Sequence, residues 1–124
     1  MERGIVIVVD VLRVEAELND SPTADLIWKG LPIEGTANTW GDEIYFSIPV
    51  KADLEAGARD KMELGELGYW PPGEAFCIFF GPTPMSAGDE IRAASPVNPV
   101  GRVAGDPKVF KKVISGAKVR IEKQ

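Results

Sequence analysis

The sequence predicts a mainly β protein in which short antiparallel strands close into a barrel. Three observations predict this fold. Several segments alternate apolar and polar residues with the period of two that is typical of half-buried strands. Proline and glycine turn signals separate these segments. Helical periodicity occurs in two short stretches that lie far apart, which favours a barrel over a regular strand-helix repeat. The 124 residues are enough for one domain with one hydrophobic core, and we expect residues 1–124 to form it.

The first strand signals lie at the N-terminus. Residues 5–9 are purely aliphatic and predict a deeply buried strand. From Leu12 to Leu18, apolar residues alternate with Arg13, Glu15 and Glu17, which predicts a strand with one exposed face. These patterns fit either one long bent strand or a pair of strands.

A helix is predicted over residues 22–30. Ser21 is a preferred N-cap residue, and Pro22 suits the first helical position because its missing N–H has no intrahelical partner there. Leu31 precedes Pro32 and is therefore pushed out of the helical region, which ends the helix. The residues expected on its buried face are Ala24, Ile27, Trp28 and Leu31.

The centre of the chain predicts further strands and turns. Apolar residues at 44, 46, 48 and 50 alternate with Glu43, Tyr45 and Ser47, which indicates a half-buried strand. Residues 67–70 and 75–80 predict a hairpin, with Pro72 and Gly73 at the centre of a type II turn. Residues 81–84 and 95–99 contain several prolines and are expected to be turns or edges.

A second helix is predicted over residues 107–115, between Asp106 and Gly116. The residues expected to point inward from it are Val109, Phe110, Val113 and Ile114. Val119 and Ile121 then alternate with charged residues and predict the closing strand.

Composition excludes several classes of function. The net charge of −5 and the pI near 4.8 argue against nucleic-acid binding, and no apolar run reaches the roughly 20 residues of a membrane span. We expect a cytoplasmic protein without a secretory signal. Cys77 has no partner for an internal disulfide and is expected to be a buried thiol.

The chain contains no histidine, which excludes Ser-His-Asp and Cys-His catalysis and histidine-bearing zinc sites. It also has no phosphate-binding loop and no dinucleotide-binding glycine motif. We therefore predict no cofactor and no metal.

Asp42 and Glu43 are adjacent, and neighbours on a strand point to opposite faces, so they do not form a two-carboxylate site by themselves. Either they are solvated turn charges, or Glu43 is a general acid or base with a pKa raised by nearby aromatics.

Aromatic residues beside turns are the candidate binding residues. Such side chains, next to rigid backbone, are typical of a groove for an extended or proline-containing peptide. The alternative is that they cap the ends of the barrel. The predicted site comprises four aromatics with two polar residues at their edges: Trp40, Tyr45, Tyr69, Trp70, Asn38 and Glu43.

Several longer strings resemble the cyclophilin fold family. Residues 100–106, followed by a helix and Val119-Arg120-Ile121, are similar to the end of that fold. The strings at residues 38–46, 69–73, 79–84 and 95–98 resemble a family of small bacterial and archaeal cyclophilin-like proteins without an assigned activity. The resemblance implies a closed, antiparallel, eight-stranded barrel with two short helices at its ends.

The resemblance does not by itself imply catalysis. Cyclophilins that isomerise X–Pro bonds place an arginine in the strand that resembles residues 45–49, and Ser47 stands at that position here. The leading hypothesis is a cyclophilin-like domain that binds a peptide or a small molecule without strong catalysis. The alternatives are a peptidyl-prolyl isomerase with an atypical site and a structural subunit that forms homo-oligomers.

Overall fold

The strands of the protein are all antiparallel to their neighbours in the computed structural model, which describes residues 3–124. The strands are β1 (Arg3–Val9), β2 (Leu12–Leu18), β3 (Ile33–Thr36), β4 (Asn38–Thr39), β5 (Glu43–Ser47), β6 (Arg59–Met62), β7 (Glu66–Trp70), β8 (Ala75–Phe79), β9 (Ile91–Val103) and β10 (Lys118–Lys123). One α-helix, α1 (Pro22–Gly30), and two 3₁₀ helices, Pro71–Gly73 and Pro107–Lys112, complete the fold. The predicted mainly β architecture with two short helices is confirmed.

The strands form one sheet in the order β3-β10-β1-β2-β9-β7-β8-β5-β4, and β6 pairs with β9. β1 and β2 are a pair of strands rather than one bent strand, and they are joined at Asp10, whose φ is 53°. The alternation in β2 places Val14, Ala16 and Leu18 in the core and the intervening charges outside. Within residues 3–124, no helix is long and apolar enough to cross a bilayer.

The sheet is open, so the predicted closed eight-stranded barrel is wrong. β3 and β4 end the strand order, and among the described residues no ladder joins β3 to β5. Ala37, which lies between β3 and β4 in the chain, donates its N–H to Ala117 O (2.8 Å) and accepts from Gly116 N (2.8 Å). These bonds tie the chain to the segment before β10. The side chain of Phe46 in β5 fills the space beside Gly35 in β3, because a Cβ at Gly35 would lie 2.8 Å from Cδ2 of Phe46.

The predicted helix over residues 22–30 is confirmed as α1. Ser21 Oγ accepts from the Ala24 N–H at 3.2 Å, as an N-cap residue does. Ala24 and Ile27 are fully buried in the larger of two hydrophobic clusters, hereafter the main core, which also contains Ile5, Phe46, Tyr69, Phe110 and Ile121. The helix therefore packs its apolar face onto the inner face of the sheet.

The second predicted helix is shorter and differently wound. It is a 3₁₀ helix that ends at Lys112, where the Val113 N–H bonds to Phe110 O at 3.0 Å. Three residues per turn cannot bring all four predicted apolar residues to one face. Phe110 is fully buried, whereas Ile114 is 73% exposed.

The turn between β7 and β8 also differs from the predicted type II turn. Residues Pro71–Gly73 form a 3₁₀ helix, and the left-handed residue is Glu74, with φ 47°. Ser47 lies beside this turn and donates its hydroxyl hydrogen to Gly73 O at 3.1 Å. The hairpin itself is present as predicted.

The 13-residue strand β9 pairs with different strands along its length. Its C-terminal part pairs with β2 and β7, and its N-terminal part pairs with β6. Residues 95–99, which were expected to be turns or edges, lie inside this strand. A second, smaller hydrophobic cluster lies in this region, on the opposite face of the sheet from the main core: Met62, Ala75, Cys77, Phe79, Ile91, Ala93 and Val97.

Candidate functional site

The floor of the candidate site is the outer face of β5 and β8. In their register Glu43 lies opposite Phe79, and Tyr45 lies opposite Cys77. Because side chains alternate along a strand, these four share one face, while Ile44 points into the main core. Tyr45 is half-buried against the smaller cluster.

Trp70 at the end of β7 forms one side wall. Its Nε1–H donates to Ser95 Oγ at 2.6 Å, which fixes the ring to β9. A Cβ at Gly73 would lie 2.9 Å from Trp70 Cε3, so the absence of a side chain there makes room for the indole. The ring is therefore held between the turn after β7 and Ser95 of β9.

Small residues of β9 form the opposite wall. Ala93 and Val97 are 2% and 0% exposed, and Ala94 lies at the rim. Because alanine side chains extend no further than Cβ, this wall leaves space between β9 and the aromatic residues. The wall carries no ionisable group.

Trp40 closes one end from the hairpin loop between β4 and β5. Its backbone exchanges hydrogen bonds with Glu43, at 2.9 Å and 3.2 Å. Gly41 has φ 60°, as the first central position of a type II′ turn requires. The Asp42 N–H bonds to Pro82 O at 2.9 Å, which anchors the loop to the following segment.

These elements enclose a cavity of about 230 Å³. The lining residues are Trp40, Glu43, Tyr45, Trp70, Ala93, Ala94 and Val97. The three aromatics of this set, hereafter the aromatic trio, are each half-buried and keep part of their surface in contact with solvent. The cavity is thus mainly apolar and aromatic, and one carboxyl group lies in its wall.

Glu43 is 6% exposed, and burial raises the pKa of its carboxyl to about 7. The adjacent Cys77 thiol lowers this pKa to a smaller extent by hydrogen bonding. Burial also raises the pKa of the Cys77 thiol well above its ordinary value, and the neighbouring Glu43 charge adds to this effect. Near neutral pH, Glu43 therefore exchanges between its neutral and ionised forms, while Cys77 stays protonated.

Four of the six residues predicted from the sequence line this cavity. Tyr69 does not, because it lies in the main core at 0% exposure and donates its hydroxyl to Val50 O at 2.6 Å. The expectation that Tyr69 lies at the surface is wrong, since it points to the opposite face from its neighbour Trp70. Asn38 is exposed on β4, where its Nδ2 donates to Thr36 O (3.4 Å) and Tyr45 O (3.3 Å), outside the cavity lining.

Sequence reasoning missed the wall formed by β9. Ala93, Ala94 and Val97 carry no chemistry that marks a site, and the nearby prolines suggested a turn. Cys77 was expected to be buried, and it is 1% exposed, but its influence on the pKa of Glu43 was not anticipated. The usable signal was the period of two along any strand, which places Cys77 on the same face as Phe79.

Comparison with known proteins gives a consistent picture of the fold. A family profile described as cyclophilin-like matches residues 3–122. The solution structure of a hypothetical protein from Archaeoglobus fulgidus is similar, with 41% sequence identity and a TM-score of 0.83; the match covers 99% of this chain and 95% of that one. No protein of curated function matches the sequence.

Proposed function

Since the chain belongs to the cyclophilin-like family, we propose that it is a binding domain whose ligand occupies the cavity beside the aromatic trio. A fold hosts many activities, so the site and not the fold has to support the function. The observation that carries the proposal is an apolar, aromatic cavity with one buried carboxyl group in its wall. Such a combination is typical of small-ligand sites, in which a few polar groups fix the orientation of the ligand.

The size of the cavity favours a small molecule over an extended peptide. Pockets for drug-sized ligands are roughly 300–1,000 Å³, and this cavity is about 230 Å³. An extended peptide needs a longer groove with free backbone groups along it. In this protein Trp70 Nε1 is already bonded to Ser95. Backbone groups of the turn that follows Trp70 already take part in hydrogen bonds within the protein.

Prolyl isomerisation is the second function that the family suggests, and the residues present do not favour it. Ser47 is exposed, bonds to Gly73 O and lies outside the cavity lining. A serine hydroxyl does not replace the charged, forked donor that arginine provides. The cavity therefore supports binding better than catalysis at X–Pro bonds.

The chain contains three tryptophans, and their indole N–H signals provide a direct test. Trp40 and Trp70 line the cavity, whereas Trp28 lies on α1 with Lys123 Nζ 4.6 Å from its ring centroid. We expect a library of neutral, cationic and anionic fragments, titrated into ¹⁵N-labelled protein, to yield compounds that shift the Trp40 and Trp70 signals and leave Trp28 unchanged. Trp28 serves as the internal control.

Two outcomes would contradict the proposal. If no fragment shifts Trp40 and Trp70 selectively, the aromatic trio is a structural cap of the sheet. If these signals shift with protein concentration in the absence of any fragment, the face is a self-association surface, and sedimentation velocity will show the oligomer.

A further inference from the structure

Building on the binding function proposed above, we propose that the cavity accepts the organic ammonium group of a small molecule, with Glu43 as its counter-ion and the aromatic trio as its walls. This inference concerns the charge of the ligand. It therefore fails separately from the proposal that the cavity binds a ligand at all.

The charges that line the cavity are not balanced. In the part of the chain that the structure describes, Glu43 is the only carboxyl that lines the cavity, and no lysine or arginine lines it. Glu43 takes part in none of the salt bridges formed among residues 3–124. Its neighbour Asp42, in contrast, lies 3.8 Å from Lys111 Nζ. Residues 3–124 therefore supply no cation for the one carboxylate that they bury in this cavity.

Burial of the unpaired Glu43 carboxylate has a cost in free energy. An ionised carboxylate is stable in an apolar site only when it is paired, and otherwise its neutral form is favoured. A cationic ligand would remove this cost by pairing with Glu43. An anionic ligand would add to the cost, and a neutral ligand would leave it unchanged.

The walls of the cavity are chemically suited to an organic cation. Aromatic faces attract cations, and quaternary ammonium groups are recognised in aromatic cages of this kind. Hard metal ions need several oxygen ligands, whereas Ala93, Val97 and the three rings provide no carboxylate or carbonyl side chain. The walls thus favour an alkylated ammonium group over a metal ion.

A matched pair of probes isolates the positive charge. Choline and 3,3-dimethylbutan-1-ol have nearly the same shape, but only choline carries a charge. At pH 8 and constant ionic strength, we expect choline to shift the Trp40 and Trp70 indole signals with a Kd lower by about tenfold or more than that of the neutral compound. Equal affinity, or tighter binding of the neutral compound, would overturn the inference.

The pH dependence provides an independent readout. The ionisable groups that face Glu43 are Cys77 from β8 and Tyr45 from its own strand. β9 contributes no ionisable group to the cavity lining, and the adjacent Asp42 is paired with Lys111. A cation requires ionised Glu43, so binding releases a proton when the carboxyl is neutral beforehand. With a pKa of about 7, the choline Kd is expected to rise by about tenfold from pH 8 to pH 6. A Kd that does not change with pH would contradict the assigned counter-ion.

Two variants complete the test. Glu43→Gln keeps the shape of the side chain and removes its charge, so we expect it to abolish both the preference for choline and the pH dependence. Asp42→Asn removes a neighbouring charge outside the cavity and is expected to retain both properties. A Glu43→Gln variant that binds choline as tightly as the parent would overturn the inference.

The remaining outcomes distinguish the two proposals. If choline and its isostere leave the signals unchanged while other neutral fragments shift them, the ammonium inference fails and the binding function stands. If no fragment shifts them, the binding function itself fails. If a peptide with trimethyllysine binds about tenfold or more tightly than choline, the small-molecule assignment is wrong.

Discussion

Tyr69 and Trp70 are adjacent in β7, yet their polar atoms bind in different layers of the protein. Tyr69 Oη donates to Val50 O at 2.6 Å on the main-core face, whereas Trp70 Nε1 donates to Ser95 Oγ at 2.6 Å on the cavity face. The alternation of a strand makes this separation possible within two residues. The two side chains therefore allow stability and ligand binding to be perturbed separately.

Tyr69→Phe is expected to lower stability without changing ligand binding. The substitution removes the hydrogen bond to Val50 O in a fully buried site, and loss of such a partner costs about 2 kcal/mol. Urea denaturation followed by circular dichroism measures the loss, and the indole titration measures binding. A large change in ligand affinity would show that the two faces are coupled.

Trp40→Ala and Trp70→Ala are expected to show the opposite behaviour. Both rings are half-buried and line the cavity, so their removal is expected to weaken binding of any cavity ligand by about tenfold or more while the fold is retained. The thermal midpoint and the affinity of each variant are compared with those of the parent. If both variants mainly unfold, the aromatic trio has a structural role.

Asn98→Ala is expected to destabilise the protein strongly. Asn98 is 0% exposed, accepts from the Glu55 N–H at 2.8 Å and donates to Asp53 O (2.9 Å) and Thr23 Oγ1 (3.0 Å). These bonds join β9, α1 and the segment after β5, so we expect a loss of about 3 kcal/mol in urea denaturation.

A matched control is available for Asn98. The exposed Asn19 also bonds a distant carbonyl, since its Nδ2 donates to Pro99 O at 3.0 Å. Because water can replace this bond, Asn19→Ala is expected to cost less than about 1 kcal/mol. Equal losses in the two variants would mean that burial of the Asn98 network is not the cause.

The elements that depend on neighbouring residues were predictable from the sequence. Ser21, Pro22 and the pair Leu31-Pro32 define α1 through local capping and steric effects. The alternation in β2 needs no information beyond seven residues. Local patterns also identified four of the residues that line the cavity.

Features that depend on distant contacts were not predictable. Ala37 bonds to Gly116 and Ala117, which are about eighty positions away in the sequence, and among the described residues no ladder joins β3 to β5. Small residues of β9 form one wall of the cavity, and Ala93 carries no sequence signal of that role. Tyr69 and Trp70 have similar chemistry, and only the register of β7 decides which of them faces the cavity.

Catalysis of X–Pro isomerisation is expected to be absent or very weak. The uncatalysed barrier is about 18–20 kcal/mol, and the strand that carries an arginine in active cyclophilins carries the exposed Ser47 here. Exchange NMR on an X–Pro peptide, with an active cyclophilin as positive control, measures the rate. Acceleration comparable to that control would show that this cavity catalyses the reaction without an arginine.

The stability of the protein is expected to fall as the pH rises from about 4.5 to above 7. The pKa of Glu43 is about 7 in the folded state and 4.5 when the side chain is free, so the folded state binds more protons in this window. A carboxyl with a raised pKa contributes its full stability below pH 4.5 and loses it as the pH passes through 7. The difference of 2.5 between 7 and 4.5 corresponds to about 3 kcal/mol for this buried group.

Two variants assign this pH dependence to its source. Glu43→Gln cannot ionise, so its free energy of unfolding is expected to lack the decline that the parent shows over this window in urea denaturation. Glu90→Gln is the control, because Arg92 lowers the pKa of Glu90 to about 2, and its contribution is lost only as the pH falls below 4.5. Glu90→Gln is therefore expected to keep the decline of the parent between pH 4.5 and pH 7. A decline as large in Glu43→Gln as in the parent would mean that another group, and not Glu43, titrates in this range.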